Sequence, residues 1–451
     1  MKAKVSVILP SLNVVDYIKE CMDSAVNQSL QELEIICIDA GSTDGTREVL
    51  AEYARRDSRI TVLESDKKSY GRQVNIGLEH ASGEYAAVLE TDDWIERDMY
   101  QTLYECASKD RLDYAAADFD TFYQLQSGSY YFVRQHLFWG EQRDWYGRIL
   151  NGNQIARLRA SDYVLWKGIY NREFLNTHHI RLHESAGAAF QDMGFLQQVK
   201  TYAARARYID KSFYRYRQGR EGASSNGLEG LRFYQKEFWW MDDSLRLTGL
   251  LKGVHKKYYY YTMSISLLTK YEQILVSLNG NWQDKRLSEP YFWFRAQLTR
   301  AVSEGLLDET MYVTALWDRL MLLLTSQEAH AGQVMEAHSG KEKCVQEFLR
   351  KTKRRPVVVF GCGVRGERLM LFCDRNQIRM HAYCDNDTAV QGRKKFGFPV
   401  LSPEELRTEV CDKNEAVVLS MKKGTKQVRE QLVCIGIEED RIIDELPEGM
   451  I

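Results

Sequence analysis

The sequence predicts an α/β protein: a parallel, helix-flanked sheet at the N-terminus, a helical middle, and a second, small α/β unit at the C-terminus. Three observations carry this. Over roughly the first 100 residues, apolar runs of strand length alternate with helical patterns, which demands a parallel sheet with right-handed crossovers. From about Leu228 to Arg350, apolar residues recur at three- and four-residue steps and strand signals are scarce. At Pro356-Val357-Val358-Val359-Phe360 a buried-strand pattern begins afresh and runs into a glycine-rich turn.

A chain of 451 residues exceeds what one core normally serves, and we expect three domains, 1–226, 227–350 and 351–451. The net charge of −2 gives no general attraction to nucleic acid. Nine cysteines occur without a Cys-x-x-Cys pair or a zinc-type spacing, which fits free thiols in a reducing compartment. Met1-Lys2-Ala3-Lys4 leads straight into a strand, leaving no room for a signal peptide's apolar stretch. No apolar run approaches the roughly 20 residues that span a bilayer. A soluble, cytoplasmic protein is expected, compatible with peripheral contact at the inner membrane face.

In chain order, Val5 to Pro10 is a strand stopped by proline, and a helix pattern runs from Val15 to Val26. Leu33 to Asp39 is a buried strand ending in an acid, and Ser42 or Thr43 can cap the helix after it. Ile60 to Glu64 is a strand, Gly71 to Ala81 a helix, and Tyr85 to Leu89 a strand that delivers Glu90, Asp92 and Asp93 at its end. Closely spaced carboxylates repel unless a cation sits among them, and oxygen ligands suit Mg²⁺ or Mn²⁺. The plainer reading is a solvated acidic turn, with Asp93 capping a helix that begins near Ile95. Tyr114 to Phe119 reads as a strand, and Phe122 to Val133 as a hairpin turning at Ser127-Gly128. Helical patterns follow at Met193–Tyr202, Phe233–Leu247, Tyr258–Leu278, Tyr291–Ala301 and Met311–Leu324.

Several stretches in order resemble the inverting family 2 glycosyltransferases of GT-A (Rossmann-like) fold. They are Val5-Ser6-Val7-Ile8-Leu9-Pro10 with Asn13, Ile38-Asp39-Ala40-Gly41-Ser42-Thr43-Asp44-Gly45-Thr46, Gly71-Arg72-Gln73-Val74-Asn75, and Glu90-Thr91-Asp92-Asp93. The likeness continues through Leu165-Trp166-Lys167-Gly168-Ile169-Tyr170 and Phe190-Gln191-Asp192-Met193-Gly194-Phe195. It ends near Tyr214-Arg215-Tyr216-Arg217.

The resemblance implies a hexosyltransferase-type enzyme that moves a sugar, with inversion, from a nucleotide-sugar to a glycan or lipid-linked acceptor. The donor is expected to be UDP-linked. The cofactor implied is Mn²⁺ or Mg²⁺, with Asp93 facing the metal and Asp92 the ribose. Pro10, Asn13, Asp39, Ser42 and Arg72 fall at nucleotide-sugar positions. Asp39 suits a pyrimidine N–H and otherwise caps its turn; Arg72 suits a diphosphate and otherwise makes a surface ion pair. Asp192, near the start of a helix, is the implied base, where most acids only stabilise the helix. Glu90, Gln191, Trp166, Lys167, Arg215 and Arg217 are further candidates, and Trp139 and Trp145 fall in the acceptor region. Ala40, Glu90, Gln191 and Gln73 stand where the family commonly has Asp, Asp, Glu and Asn. The Gln-x-x-Arg-Trp of processive synthases is absent, so one sugar per encounter is expected, as in bacterial surface polysaccharide synthesis. Arg215 to Gly222 with Ser224-Ser225-Asn226 suits a lid over the diphosphate. His178, His179 and His183 lack a fourth zinc ligand.

At the C-terminus, Gly361-Cys362-Gly363-Val364-Arg365-Gly366 follows a strand, and Asp385 ends another about 20 residues on, the arrangement of a dinucleotide fingerprint. This part resembles the small Rossmann-like domains of polysaccharide-biosynthesis proteins. Gly361, Gly363, Gly366 and Asp385 are its candidate nucleotide site. Two other functions stay open: an NAD(P)-dependent sugar-modifying enzyme run by this fingerprint, and a nucleotide-sugar-binding protein without catalysis.

Overall fold

Apolar runs that can be covered on both faces become central strands, and the first 90 residues consist of little else. In the computed structural model, described over residues 2–138, 140–158, 164–219, 227–247, 249, 251–410, 414–421 and 423–446, the chain forms two compact units. One comprises residues 1–122 and 132–332, the other residues 123–131 and 333–451. Trp139 and the segment 220–226, with its Ser224-Ser225-Asn226, lie outside the described residues.

The first unit opens with β1 (Val5–Ser11), α1 (Val15–Val26), β2 (Leu33–Asp39), α2 (Thr46–Arg56), β3 (Ile60–Glu64), α3 (Tyr70–His80) and β4 (Tyr85–Val88). A two-residue β5 (Trp94–Ile95) precedes α4 (Met99–Asp110), so Asp93 does not cap a helix. Then come β6 (Tyr114–Gln124), β7 (Tyr130–Gln135), β8 (Leu150–Asn151), α5 (Gly152–Ala156), β9 (Gly168–Asn171), α6 (Arg172–Thr177), α7 (Gln191–Tyr202) and β10 (Arg205–Arg217). The sheet order is β3-β2-β1-β4-β9-β6-β10-β5. Its first four strands are parallel and β9 runs antiparallel between β4 and β6, giving the GT-A-like sheet that the sequence predicts. β1 is buried at all seven positions and anchors the core with Ile8, Ile36, Ile38 and Leu89.

The helical middle expected from about Leu228 to Arg350 is present, with one helix beyond those whose patterns stand out individually. It consists of α8 (Gly230–Leu247), α9 (Gly253–Ser277), α10 (Lys285–Ser303), α11 (Thr314–Thr325) and α12 (Gln327–Lys351). α12 escapes the pattern because its 25 residues mix Ala, Gly, His, Lys and Glu, with few apolar side chains to mark a face. No described helix is long and apolar enough to cross a membrane.

The second unit is a smaller α/β domain built from β11 (Val357–Phe360), α13 (Val364–Arg375), β12 (Met380–Cys384), β13 (Lys394–Lys395), β14 (Phe398–Leu401), α14 (Pro403–Val410), β15 (Ala416–Leu419), α15 (Thr425–Cys434) and β16 (Ile442–Ile443). Its strand order is β13-β14-β12-β11-β15-β16, parallel except at β13. The tip of the β6–β7 hairpin, turning at Gly128 as the sequence indicates, contributes Leu125 to this unit's core. A Cβ on Gly366 would lie 1.9 Å from the Gly361 carbonyl oxygen, so a glycine is what lets α13 approach β11. Asp385 Oδ2 accepts the Cys362 N–H at 2.7 Å, and this carboxylate closes the glycine turn.

Candidate active site

In the order 3-2-1-4, chain direction through the sheet switches between β1 and β4, and doubly wound sheets open their ligand crevice at the strand ends there. A cavity of ≈ 910 Å³ lies at this point, lined by Pro10, Glu90, Asp92, Trp166 and Asp192 among others. That volume is toward the upper end for small-molecule sites, roughly 300–1,000 Å³. Buried polar side chains hold its floor. Gln73 Nε2 donates to the carbonyls of Ser11 and Ile38 at 2.8 and 2.7 Å, and Thr91 Oγ1 donates to that of Pro10 at 2.9 Å. Gln73 thus spans two strand ends.

The acids after β4 divide by direction. Glu90 and Asp92 line the cavity, and the Tyr70 hydroxyl donates to Glu90 Oε1 at 2.6 Å. Asp93 is 1% exposed and lies behind them. Its Oδ2 accepts the Tyr214 hydroxyl at 2.9 Å and its Oδ1 the Arg217 N–H at 2.7 Å. Burial, and next the charge of Asp92, push its carboxyl well above the usual carboxylate range. Asp93, expected to face the metal, is bonded behind the cavity wall, whose lining acids at this corner are Glu90 and Asp92. Successive side chains at this tight bend diverge, which a motif alone does not reveal. Two carboxylates at one cavity edge are a donor set suited to a hard divalent cation.

The nucleotide positions separate likewise. Asp39 is 1% exposed; its Oδ2 accepts the N–H groups of Gly41 and Ser42 at 2.9 Å each. Its buried Oδ1 has no hydrogen-bond partner among the described residues. Asn13 and Ser42 hold two loops together: Asn13 N–H donates to Ser42 Oγ, and Asn13 Oδ1 accepts Thr43 N–H, both at 2.9 Å. Arg72 does not line the cavity. Its guanidinium is drawn to Asp66 at 2.9 Å, Glu184 at 3.5 Å and Glu79 at 3.7 Å, so the expected diphosphate contact is not where the side chain lies. Arg215 also points elsewhere, to Glu96 at 2.7 Å and Asp120 at 3.1 Å. Arg217 lines the cavity, donating to the Asp92 backbone oxygen at 2.9 Å and to Glu20 at 2.6 Å.

Asp192 sits in the first turn of α7, its Oδ1 accepting Met193 N–H at 2.9 Å. Desolvation pushes its carboxyl up to about 7; Glu237 adds to the rise, while the Met193 N–H and Lys167 oppose it. Gln191 is 1% exposed and donates to Ser185 Oγ at 2.7 Å and the Gly187 carbonyl at 3.3 Å, fixing the loop before α7. Trp166 stacks on Tyr214 with centroids 4.0 Å apart, and the next residue, Lys167, is 1% exposed. Trp145 packs against Phe138 at 5.8 Å, and His178 stacks on Tyr202 at 4.5 Å. His183 Nδ1 lies 2.9 Å from Glu237 Oε2. Among the described residues, one group of metal-type ligands stands away from the cavity: Asp118, His136 and Asp210. Asp118 there already accepts bonds from Arg134, Tyr146 and the Leu137 N–H, which explains it as a structural hub.

The sequence reading missed Tyr70 and Tyr214, which anchor the acids, and the α8–α9 wall with Tyr234, Lys270 and Gln273. Tyr70 and Tyr214 adjoin stretches already singled out, Gly71-Arg72 and Arg215-Tyr216-Arg217, whereas the wall carries no motif.

Residues 6–175 match the family model "Glycosyl transferase family 2", and residues 353–443 match "C2185-like, N-terminal". The chain is 26% identical over 215 residues to "Glycosyltransferase GlyA" of Streptococcus pneumoniae, covering 48% of this chain and 30% of that protein. It is 28% identical over 261 residues to "Uncharacterized glycosyltransferase YibD" of Escherichia coli, covering 56% and 72%. A shorter match, 32% over 114 residues, joins it to "Poly(ribitol-phosphate) beta-glucosyltransferase" of Bacillus spizizenii, covering 24% and 18%. The chain thus spans less than a third of the length of the first and third of these relatives.

Proposed function

We propose that this chain, whose residues 6–175 are a family 2 glycosyltransferase domain, transfers one sugar at a time from a UDP-sugar to an acceptor hydroxyl with inversion. The observation that carries the reading is the shared cavity: Glu90, Asp92 and Asp192 line one space at the sheet's switch point. The orphaned Asp39 Oδ1 suits the N–H of a uracil ring, since a buried acceptor gains most from a ligand that supplies its missing donor. Glu90 and Asp92 would hold Mn²⁺ or Mg²⁺, whose charge offsets that of the leaving diphosphate. Asp192, near neutrality in its carboxyl, accepts the acceptor's hydroxyl proton as that oxygen bonds to the anomeric carbon. The bond from that carbon to the diphosphate oxygen breaks on the opposite face, and the configuration inverts.

For the acceptor we propose a surface glycan, on the strength of a relative named as a poly(ribitol-phosphate) glucosyltransferase. A role for the helical middle as a wall of the acceptor site follows from Tyr234 and Lys270 lining the cavity. The test is a panel of nucleotide-sugars scored for Mn²⁺-dependent release of nucleoside diphosphate, with product configuration read by NMR. Release from no donor, or retention of configuration, contradicts the proposal.

A further inference from the structure

Lys270 reaches the cavity from α9, outside the stretch matched by the glycosyltransferase model. It is 6% exposed and its course is set by packing. A Cβ on Gly230, the first residue of α8, would lie 2.9 Å from Lys270 Cδ and 3.3 Å from Cε. Glycine is therefore what leaves the stem its passage. Beyond it the ammonium lies 5.2 Å from the centroid of the Phe190 ring and donates to Gln273 Oε1 at 2.6 Å. Phe190 stacks on Tyr234, centroids 3.9 Å apart at 19°, and stands two residues before Asp192. The lysine is held over Phe190, on the wall of the cavity that Asp192 also lines.

A cation withdrawn from water is costly, and burial pushes this ammonium below the ordinary lysine range. The other cations lining the cavity have different stations. Lys68 is exposed just before α3, and Arg217 is bound to Glu20 and the Asp92 backbone beside the acidic corner. On the proposed reading the donor's diphosphate would sit at that corner and the acceptor hydroxyl at Asp192, so the Lys270 wall would face the acceptor.

We propose that Lys270, with Gln273 and the Phe190–Tyr234 stack, forms a subsite for an anionic group on the acceptor, a phosphate or a carboxylate near the reacting hydroxyl. This rests on the reading of Asp192 as the base. The aromatic pair covers a sugar face while the ammonium takes the charge.

The test uses the full chain with UDP and Mn²⁺ and three ligands on one scaffold: methyl β-glucoside, its 6-phosphate, and methyl β-glucuronide. Calorimetry on the wild type is expected to show at least one charged glycoside bound about 10–100-fold more tightly than the neutral one. That preference falls as salt rises, is lost in Lys270→Met, persists in Lys270→Arg, and weakens in Gly230→Ala as the stem is displaced. Which charged ligand wins separates phosphate from carboxylate. Equal binding of all three, binding of none, or a preference that survives Lys270→Met overturns the proposal. The wild-type salt series stands even if a variant does not fold. Because binding is read without turnover, a chain that prefers the charged glycosides yet consumes no nucleotide-sugar counts against the transferase reading and leaves the subsite.

Discussion

The Tyr214 hydroxyl donates to Asp93 Oδ2 at 2.9 Å while accepting the N–H of Glu90 at 3.1 Å. One phenol on β10 thereby sets both the acid that leaves the cavity and the acid that enters it. Tyr214→Phe strands a buried carboxyl and an amide, at about 1–3 kcal/mol for each unmade bond. A fall in melting temperature together with weaker Mn²⁺ activation is expected; an unchanged melt would show that the phenol is dispensable.

The two aspartates of the corner should respond differently. Asp92→Asn is expected to abolish Mn²⁺ activation at every concentration. Asp93→Asn, which acts through the bonds around the site, should raise the Mn²⁺ required by about 10–100-fold. Titrating nucleoside diphosphate release against Mn²⁺ separates them, and the reverse order would restore Asp93 as the metal-facing acid.

Asp39→Asn puts an amide where the carboxylate's free oxygen lies, so a uracil N–H would meet a poorer or opposing partner. UDP affinity should fall by about 10–100-fold, with GDP affinity much less affected. Calorimetry with both nucleotides checks this; equal losses would mean that Asp39 only supports its turn.

Arg72→Ala should leave UDP affinity within about threefold of the wild type, because its guanidinium is engaged by Asp66, Glu79 and Glu184 outside the cavity. A large loss would mean that the side chain swings to the diphosphate when donor binds.

The sheet was legible because its strands are continuous apolar runs bounded by turn residues. The positions of Val15–Val26 and Leu33–Asp39 agree to the residue. The site was legible as far as residue types at strand ends reveal a crevice. What a motif does not encode is direction: Asp92 and Asp93 are neighbours, yet one lines the cavity and the other is bonded to Tyr214. The station of Arg72 was illegible for a related reason, since the acids that claim it include Glu184, more than a hundred residues away. Lys270 was illegible because its stem is aimed by Gly230 and its head lies over Phe190, contacts that no local pattern encodes.

The pH dependence of turnover should report Asp192. A base must be unprotonated to accept the acceptor's proton, and burial has moved this carboxyl up to about 7. The rate should therefore climb about tenfold per pH unit in acid and level off above neutrality. A rate already flat from pH 5 upward would mean that another group takes the proton.

Asp192→Asn probes the base most directly, assayed for UDP affinity and for Mn²⁺-dependent UDP release from the donor that the wild type uses. UDP affinity should be unchanged and release slowed by about 10²–10⁴-fold. Release at the wild-type rate from a variant that still binds UDP would contradict the role of Asp192 as the base.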